Sequence, residues 1–138
     1  MSTIDDYDAI ERAVLLYVDG ATKNDLSLVK QAFDERARLF GGMMDGTRYD
    51  IDMPTFFDDM AKEPLNSKGT YRARVISVQQ FGPSAAVVLA EDGCWGGVSF
   101  VDILSLNKID GQWKIVNKTF THTGGLTGLG AGRSPRAA

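Results

Sequence analysis

Apolar positions in the first part of the chain recur with a helical period. Ile10, Val14, Tyr17, Val18 and Ala21 fall at i, i+4, i+7, i+8 and i+11, which is one face of an amphipathic helix. Thr3 and Asp6 stand ahead of it at capping-box spacing, and Asp5, Asp6 and Asp8 place negative charge at the positive end of its dipole. Lys23 suits the last turn, and Asn24-Asp25 ends this helix and caps a short second one with Leu26, Val29 and Phe33 turned inward. The period then changes. Residues 37–42 read as a strand, Asp45-Gly46 as a hairpin turn, and 47–51 as the returning strand. Asp52 caps a third helix with Met53, Phe56, Phe57 and Met60 on its apolar face, ended by Pro64 and the run Asn66-Ser67-Lys68-Gly69.

Everything after that is strand. Segments 71–81, 85–91, 98–109 and 112–123 are separated by turn clusters at Gly82-Pro83, at Glu91-Asp92-Gly93 with Gly96-Gly97, and at Asp110-Gly111. The pattern predicts an α+β domain over residues 1–123, with three N-terminal helices packed on one face of a curved sheet. Residues 124–138 read as a Gly-rich flexible tail. Its Gly128-Leu129-Gly130-Ala131-Gly132 run lacks both the strand-to-helix junction and the following Lys-Ser or Lys-Thr of a phosphate loop.

Composition narrows the function classes. The 138 residues are 43% hydrophobic and 24% charged, enough for one core without disulfides or a structural metal. Fifteen basic against eighteen acidic residues give a net charge of −3, with no basic stripe for nucleic acid or an anionic membrane. No apolar run approaches the ~18 residues of a membrane span. The acidic start, where a secretory signal would be basic, predicts a cytoplasmic address. Cys94 is the only cysteine, which excludes an intrachain disulfide and a cysteine-based zinc site, and it reads as inert beside Trp95. His122 is the only histidine, so no mechanism can use two imidazoles. Asp50, Asp52, Asp58 and Asp59 lack calcium-loop spacing and read as caps and solvated helix faces. Neither a metal nor a cofactor is expected.

The last hairpin, Asp102-Ile103-Leu104-Ser105-Leu106 followed by Lys108-Ile109-Asp110-Gly111-Gln112-Trp113-Lys114-Ile115-Val116-Asn117-Lys118, is the most distinctive segment. With the order of elements, it resembles the nuclear transport factor 2-like superfamily over residues 5–123, and within it the branch carrying a lumazine-binding label. SnoaL-like proteins share the superfamily. The resemblance implies a cystatin-like cone, with helices on a strongly curved, mixed, mostly antiparallel sheet around an internal cavity. The superfamily holds ketosteroid isomerases, scytalone dehydratase, polyketide cyclases and limonene epoxide hydrolase, and also non-catalytic transport and association domains. It therefore implies a fold and leaves the chemistry open.

Strand parity supplies the candidate site. Phe100, Asp102, Leu104 and Leu106 share one face, and Val101, Ile103 and Ser105 the other. A two-residue Asp110-Gly111 turn sets Leu106 opposite Ile115, Leu104 opposite Asn117, and Asp102 opposite Thr119. Asp102 is then a carboxyl among apolar neighbours, which reads either as a hydrogen-bonded structural acid or as a pocket acid with its pKa raised by desolvation. Tyr17, on the buried helical face, reads as a core tyrosine or as a pocket donor. Tyr17 and Asp102 resemble the two oxyanion-hole positions of ketosteroid isomerase, whereas that enzyme's general base has no counterpart in Leu39-Phe40-Gly41-Gly42. The same counting sets His122 opposite Ser99, facing away from Asp102. Expected lining residues are Phe40, Met44, Phe56, Phe57, Met60, Phe100, Asn117 and Thr119.

Two functions follow. One is a small-molecule-binding protein with an apolar cavity, acting on a cyclic or aromatic compound by isomerase, dehydratase or cyclase chemistry, with Asp102 as acid and Tyr17 as oxyanion donor. The other is a non-catalytic dimeric association domain whose cavity is filled by its own side chains. Strands apolar on both faces predict a homodimer joined sheet to sheet, with Val101, Ile103, Val116 and Phe120 near its centre.

Overall fold

The computed structural model describes residues 3–125. Helix α1 (Thr3–Lys23) leads into α2 (Leu26–Ala32), β1 (Phe33–Gly42), β2 (Arg48–Asp52) and α3 (Met53–Lys62). Strands β3 (Arg72–Phe81), β4 (Ser84–Cys94), β5 (Val98–Ile109) and β6 (Gln112–Gly124) complete the fold. The six strands form one curved sheet in the order β2-β1-β6-β5-β4-β3, in which β1 runs parallel to β6 and every other pair is antiparallel.

Local chemistry sets the boundaries. Asp25 caps α2 by accepting from the Ser27 amide at 3.0 Å, and Asp52 caps α3 by accepting from Thr55 N at 2.9 Å. Pro54 occupies the first turn of α3, where a missing amide hydrogen costs nothing. Asp110 and Gly111 both have positive φ, 51° and 80°, as a two-residue hairpin turn requires. Ile10, Val14, Tyr17 and Ala21 of α1 are buried as their spacing predicts.

The differences from the sequence reading are physical. Phe33 opens β1 instead of closing α2, because its backbone is already extended (φ −103°, ψ 145°). Asp6 is no capping residue. It is buried and accepts from Gln80 Nε2 (2.9 Å), Lys108 Nζ (3.1 Å) and Trp113 Nε1 (3.3 Å), tying α1 to three strands. Strand β6 reaches Gly124, one residue past the expected domain end. From residue 126 onward the expected tail lies outside the described residues.

The most consequential difference is one extra residue in β6. Leu106 does pair with Ile115, but Ser105 pairs with Asn117, so Val116 is a β-bulge. Beyond it every side chain changes face. Leu104 pairs with Lys118, Asp102 with Phe120, and Phe100 with His122. Lys118, Phe120 and His122 therefore point into the cone, while Thr119 and Thr121 are exposed. Phe120 is buried and cannot lie on the outer face where the dimer expectation put it.

Candidate functional site

Three adjacent strands each deliver one ionisable side chain to the concave face. Glu91 on β4 pairs with Phe100, and Asp102 on β5 pairs with Leu89, so the two carboxyls are diagonal neighbours. Lys118 on β6 stands diagonally from Asp102 on the other side, because Asp102 pairs with Phe120. Tyr17 from α1 and Tyr71, the residue before β3, close the cluster. Tyr71 Oη donates to Glu91 Oε2 at 2.6 Å, and Tyr17 Oη donates to the same oxygen at 3.2 Å. Lys118 Nζ donates to Tyr17 Oη at 2.6 Å and lies 3.5 Å from Asp102 Oδ2. Its amine also sits 4.8 Å from the Tyr17 ring centroid and 5.1 Å from that of Phe56.

The charges follow from these contacts. Asp102 is fully buried, and neither of its oxygens accepts a hydrogen bond of good geometry. Desolvation, then the Glu91 carboxylate beside it, raises its pKa well above the usual carboxylate range. Both influences favour the neutral form of Asp102 beside Glu91. Burial also pushes Glu91 upward, and this is its largest single influence. The Lys118 charge and the hydrogen bonds from Asp102, Tyr71 and Tyr17 together outweigh it, so Glu91 is held below its ordinary value. Burial and then the Glu91 charge raise both phenols, which stay protonated donors. The cluster thus sets Lys118 3.5 Å from Asp102, while its charge and the two phenols favour the ionised form of Glu91 and burial favours the neutral form of Asp102.

A pocket opens over this floor, lined by Phe56, Asp59, Met60, Leu65, Glu91, Trp95, Phe100, Lys118 and Phe120. Its free volume is about 20 Å³, room for about one water molecule. Glu91 and Lys118 are its polar floor, and Asp59 stands in the α3 wall with Oδ2 buried and accepting no hydrogen bond among the described residues. No group of three or more His, Cys, Asp or Glu side chains among the described residues could hold a metal ion.

Of the expected lining residues, Phe56, Met60 and Phe100 line this pocket. Phe57 is half-buried beside Phe56, with the Lys30 amine over its ring. Phe40 and Met44 are exposed, and Asn117 and Thr119 lie on the outer face, turned out by the Val116 bulge. Tyr17 and Asp102 are brought together as expected, but behind Glu91 and Lys118 rather than against the pocket. His122 faces inward opposite Phe100, contrary to the counted register. It is not a partner for Asp102. Its Nδ1 accepts from Met44 N at 3.0 Å, which leaves Nε2–H to donate to Gly124 O at 2.8 Å.

Three members of the cluster escaped the sequence reading. Glu91 had a signal, since Val87, Leu89 and Glu91 share one strand face by parity. Its place beside Asp92-Gly93 assigned it to a turn. Lys118 was hidden by the bulge, which no alternation rule reveals. Tyr71 stands at a strand end, where facing is weakly patterned.

Residues 5–121 match the family described as Putative lumazine-binding. A curated relative, "Aldolase FrzH" from Cladobotryum sp, is 28% identical over 119 residues, covering 86% of this chain and 92% of the relative. Among solved structures, an NTF2-like protein of unknown function from Shewanella baltica OS155 is similar, with a TM-score of 0.79 and 23% identity over 91% of this chain and 99% of that one. A ketosteroid isomerase-like protein from Erwinia carotovora atroseptica SCRI1043 matches at TM-score 0.62 and 17% identity, covering 86% of this chain and 96% of that one. The structural likenesses show the cystatin-like, NTF2-like fold, while the family match spans nearly all of the described chain: this protein belongs to the lumazine-binding-like family of NTF2-like domains.

Proposed function

We propose that the chain binds a small cyclic carbonyl compound over Glu91 and Lys118 and moves a proton at the carbon beside the carbonyl. The observation that carries this reading is a carboxylate and a lysine amine together on the floor of a pocket whose walls are apolar apart from Asp59. Glu91 is the base, and Lys118 holds the oxygen on which charge develops. Asp102 and Tyr17 act as positioning residues, Asp102 as a neutral carboxyl packed beside Glu91 and Tyr17 by bridging Lys118 to Glu91. Proton removal beside a carbonyl is common to isomerisation, dehydration, cyclisation and aldol chemistry. The aldolase name of the 28%-identical relative is consistent with that class. A fold built only for stability gains nothing from burying these groups, because apolar replacements of an ion pair are often neutral or stabilising.

A ligand needs more room than one water. Phe56, Asp59 and Met60 all come from α3, a ten-residue wall packed on β1, β2 and α2. Outward displacement of α3, with the flexible Met60 side chain, opens the pocket. The narrow pocket itself favours the second reading, a non-catalytic association domain with a self-filled interior. Either reading includes a sheet-to-sheet homodimer, supported by Phe40 and Ile103 exposed on the outer face at 42% and 52%.

The test is hydrogen–deuterium exchange beside the carbonyl of cyclohexanone in D2O, followed by NMR. Glu91-dependent acceleration that Glu91→Gln abolishes supports catalysis. Exchange at the buffer rate, with no change in tryptophan fluorescence on adding ketones, establishes the association-domain reading instead.

A further inference from the structure

Lys118 is more than a fixed charge in this arrangement. The residue is 6% exposed and lines the pocket, and its amine is ringed by the faces of Tyr17 and Phe56. A hydrogen-bonded path leaves it: Lys118 Nζ to Tyr17 Oη at 2.6 Å, then Tyr17 Oη to Glu91 Oε2 at 3.2 Å. Shifting one proton along each link turns a lysine ammonium and a glutamate anion into a free amine and a carboxylic acid. The net charge of the buried cluster does not change, so no charge has to enter or leave the low-dielectric interior.

We propose that Lys118 forms a covalent imine with the carbonyl carbon of a small aldehyde or ketone that also carries a hydroxyl or amino group for Asp59. This deepens the function proposed above and rests on its carbonyl-binding pocket, with Lys118 bonding the carbonyl carbon in place of holding its oxygen. The path first moves a proton from Lys118 through Tyr17 to Glu91. The free amine then attacks the carbonyl carbon, a carbon–nitrogen bond forms, and the carbonyl π electrons move to oxygen. That oxygen gains a proton as nitrogen loses one, giving a neutral carbinolamine. Glu91 next protonates the hydroxyl, the carbon–oxygen bond breaks, and water leaves. Nitrogen's lone pair completes the carbon–nitrogen double bond. The iminium cation now stands where the ammonium stood, beside a restored Glu91 carboxylate. No oxidant or reductant is required.

Asp59 sets the substrate class. Asp59 lines the same pocket and its Oδ2 is buried with no donor among the described residues, an acceptor for a ligand hydroxyl or ammonium. Acetone offers the carbonyl alone, whereas hydroxyacetone offers both groups.

The test is reductive trapping of the full-length wild-type chain with hydroxyacetone and cyanoborohydride, read by peptide mass mapping. Exposed Lys23, Lys30, Lys62 and Lys68 serve as internal references. Lys118 is expected to label about tenfold faster than these, faster with hydroxyacetone than with acetone, and with that preference lost in Asp59→Asn. Unfolding the chain in urea should equalise the lysines. Labelling of Lys118 no faster than the exposed lysines overturns the inference. If Glu91-dependent exchange with cyclohexanone survives that result, the pocket's acid–base function stands without the covalent step. If both fail, both fall.

Discussion

Replacing Lys118 with methionine isolates the electrostatics of the site. Methionine keeps most of the aliphatic stem among Tyr17, Phe56 and Phe120, so packing changes little, but Glu91 loses the buried positive charge that holds its pKa down. Leaving a buried carboxylate without a compensating charge costs about 3–5 kcal/mol at neutral pH, because the carboxylate is desolvated and uncompensated. For a chain of this size that is a melting-temperature loss of roughly 10–20 °C. The pH dependence gives the sign. In the wild type, Glu91 is held below its unfolded value, so its contribution is present above that value and is lost as pH falls through the folded pKa. In Lys118→Met, burial acts without the lysine's opposition and the folded pKa rises. The penalty is then largest at high pH and is relieved as Glu91 takes up a proton. Urea denaturation followed by tryptophan fluorescence should show a large deficit at pH 8 that shrinks by pH 5. Adding Glu91→Gln to Lys118→Met should bring stability back to within about 2 kcal/mol of the parent. A deficit under about 1 kcal/mol at pH 8, or one unchanged by acid, refutes an ionised Glu91 held by Lys118.

Other outcomes follow from the same geometry. Asp102→Asn keeps a donor for Glu91, so it should cost less than about 1 kcal/mol at pH 7. Because protonated Asp102 favours the fold at low pH and loses that advantage as pH rises through its raised pKa, the variant should gain on its parent between pH 5 and pH 8 in thermal melts. Deleting Val116 removes the extra residue and restores unbroken alternation from Ile115 through Asn117 to Lys118, so Lys118, Phe120 and His122 keep facing inward and circular dichroism should still find a cooperative melt; a deletion variant that fails to fold contradicts the bulge. Gly41→Ala drives a methyl group into the Phe120 ring and should cost about 1–3 kcal/mol in urea denaturation. Sedimentation at micromolar concentration should find a dimer of the 15.0 kDa chain, and a monomer alone removes the sheet-to-sheet interface.

Elements with strong local signals were legible in the sequence. The α1 stripe, the Asp25 and Asp52 caps and the Asp110-Gly111 turn each depend on residues within a few positions, and the structure has them all. Tyr17 and Asp102 were each legible as inward-facing because the periodicity of α1 and β5 is uninterrupted, and the resemblance to ketosteroid isomerase put them together. Parity on β6 was not, since one bulged residue reverses every side chain after it. The error removed Lys118 from view and put Asn117 and Thr119 in its place. Glu91 shows a different limit. A carboxylate next to Asp-Gly reads as turn chemistry until a lysine from another strand and two phenols are seen around it. Candidate sites built from long-range contacts are legible only as far as register is.

The central claim is a charge state: within this buried cluster, Asp102 is the acid and Glu91 the anion. Carbon-13 NMR of carboxyl-labelled aspartate and glutamate reads it directly, with Asp102→Asn and Glu91→Gln assigning the two signals. At pH 7 the Asp102 carbon should carry the shift of a protonated carboxyl and the Glu91 carbon that of a carboxylate, with Asp102 beginning to titrate only above the usual carboxylate range. An Asp102 signal already that of a carboxylate at pH 7 contradicts the account.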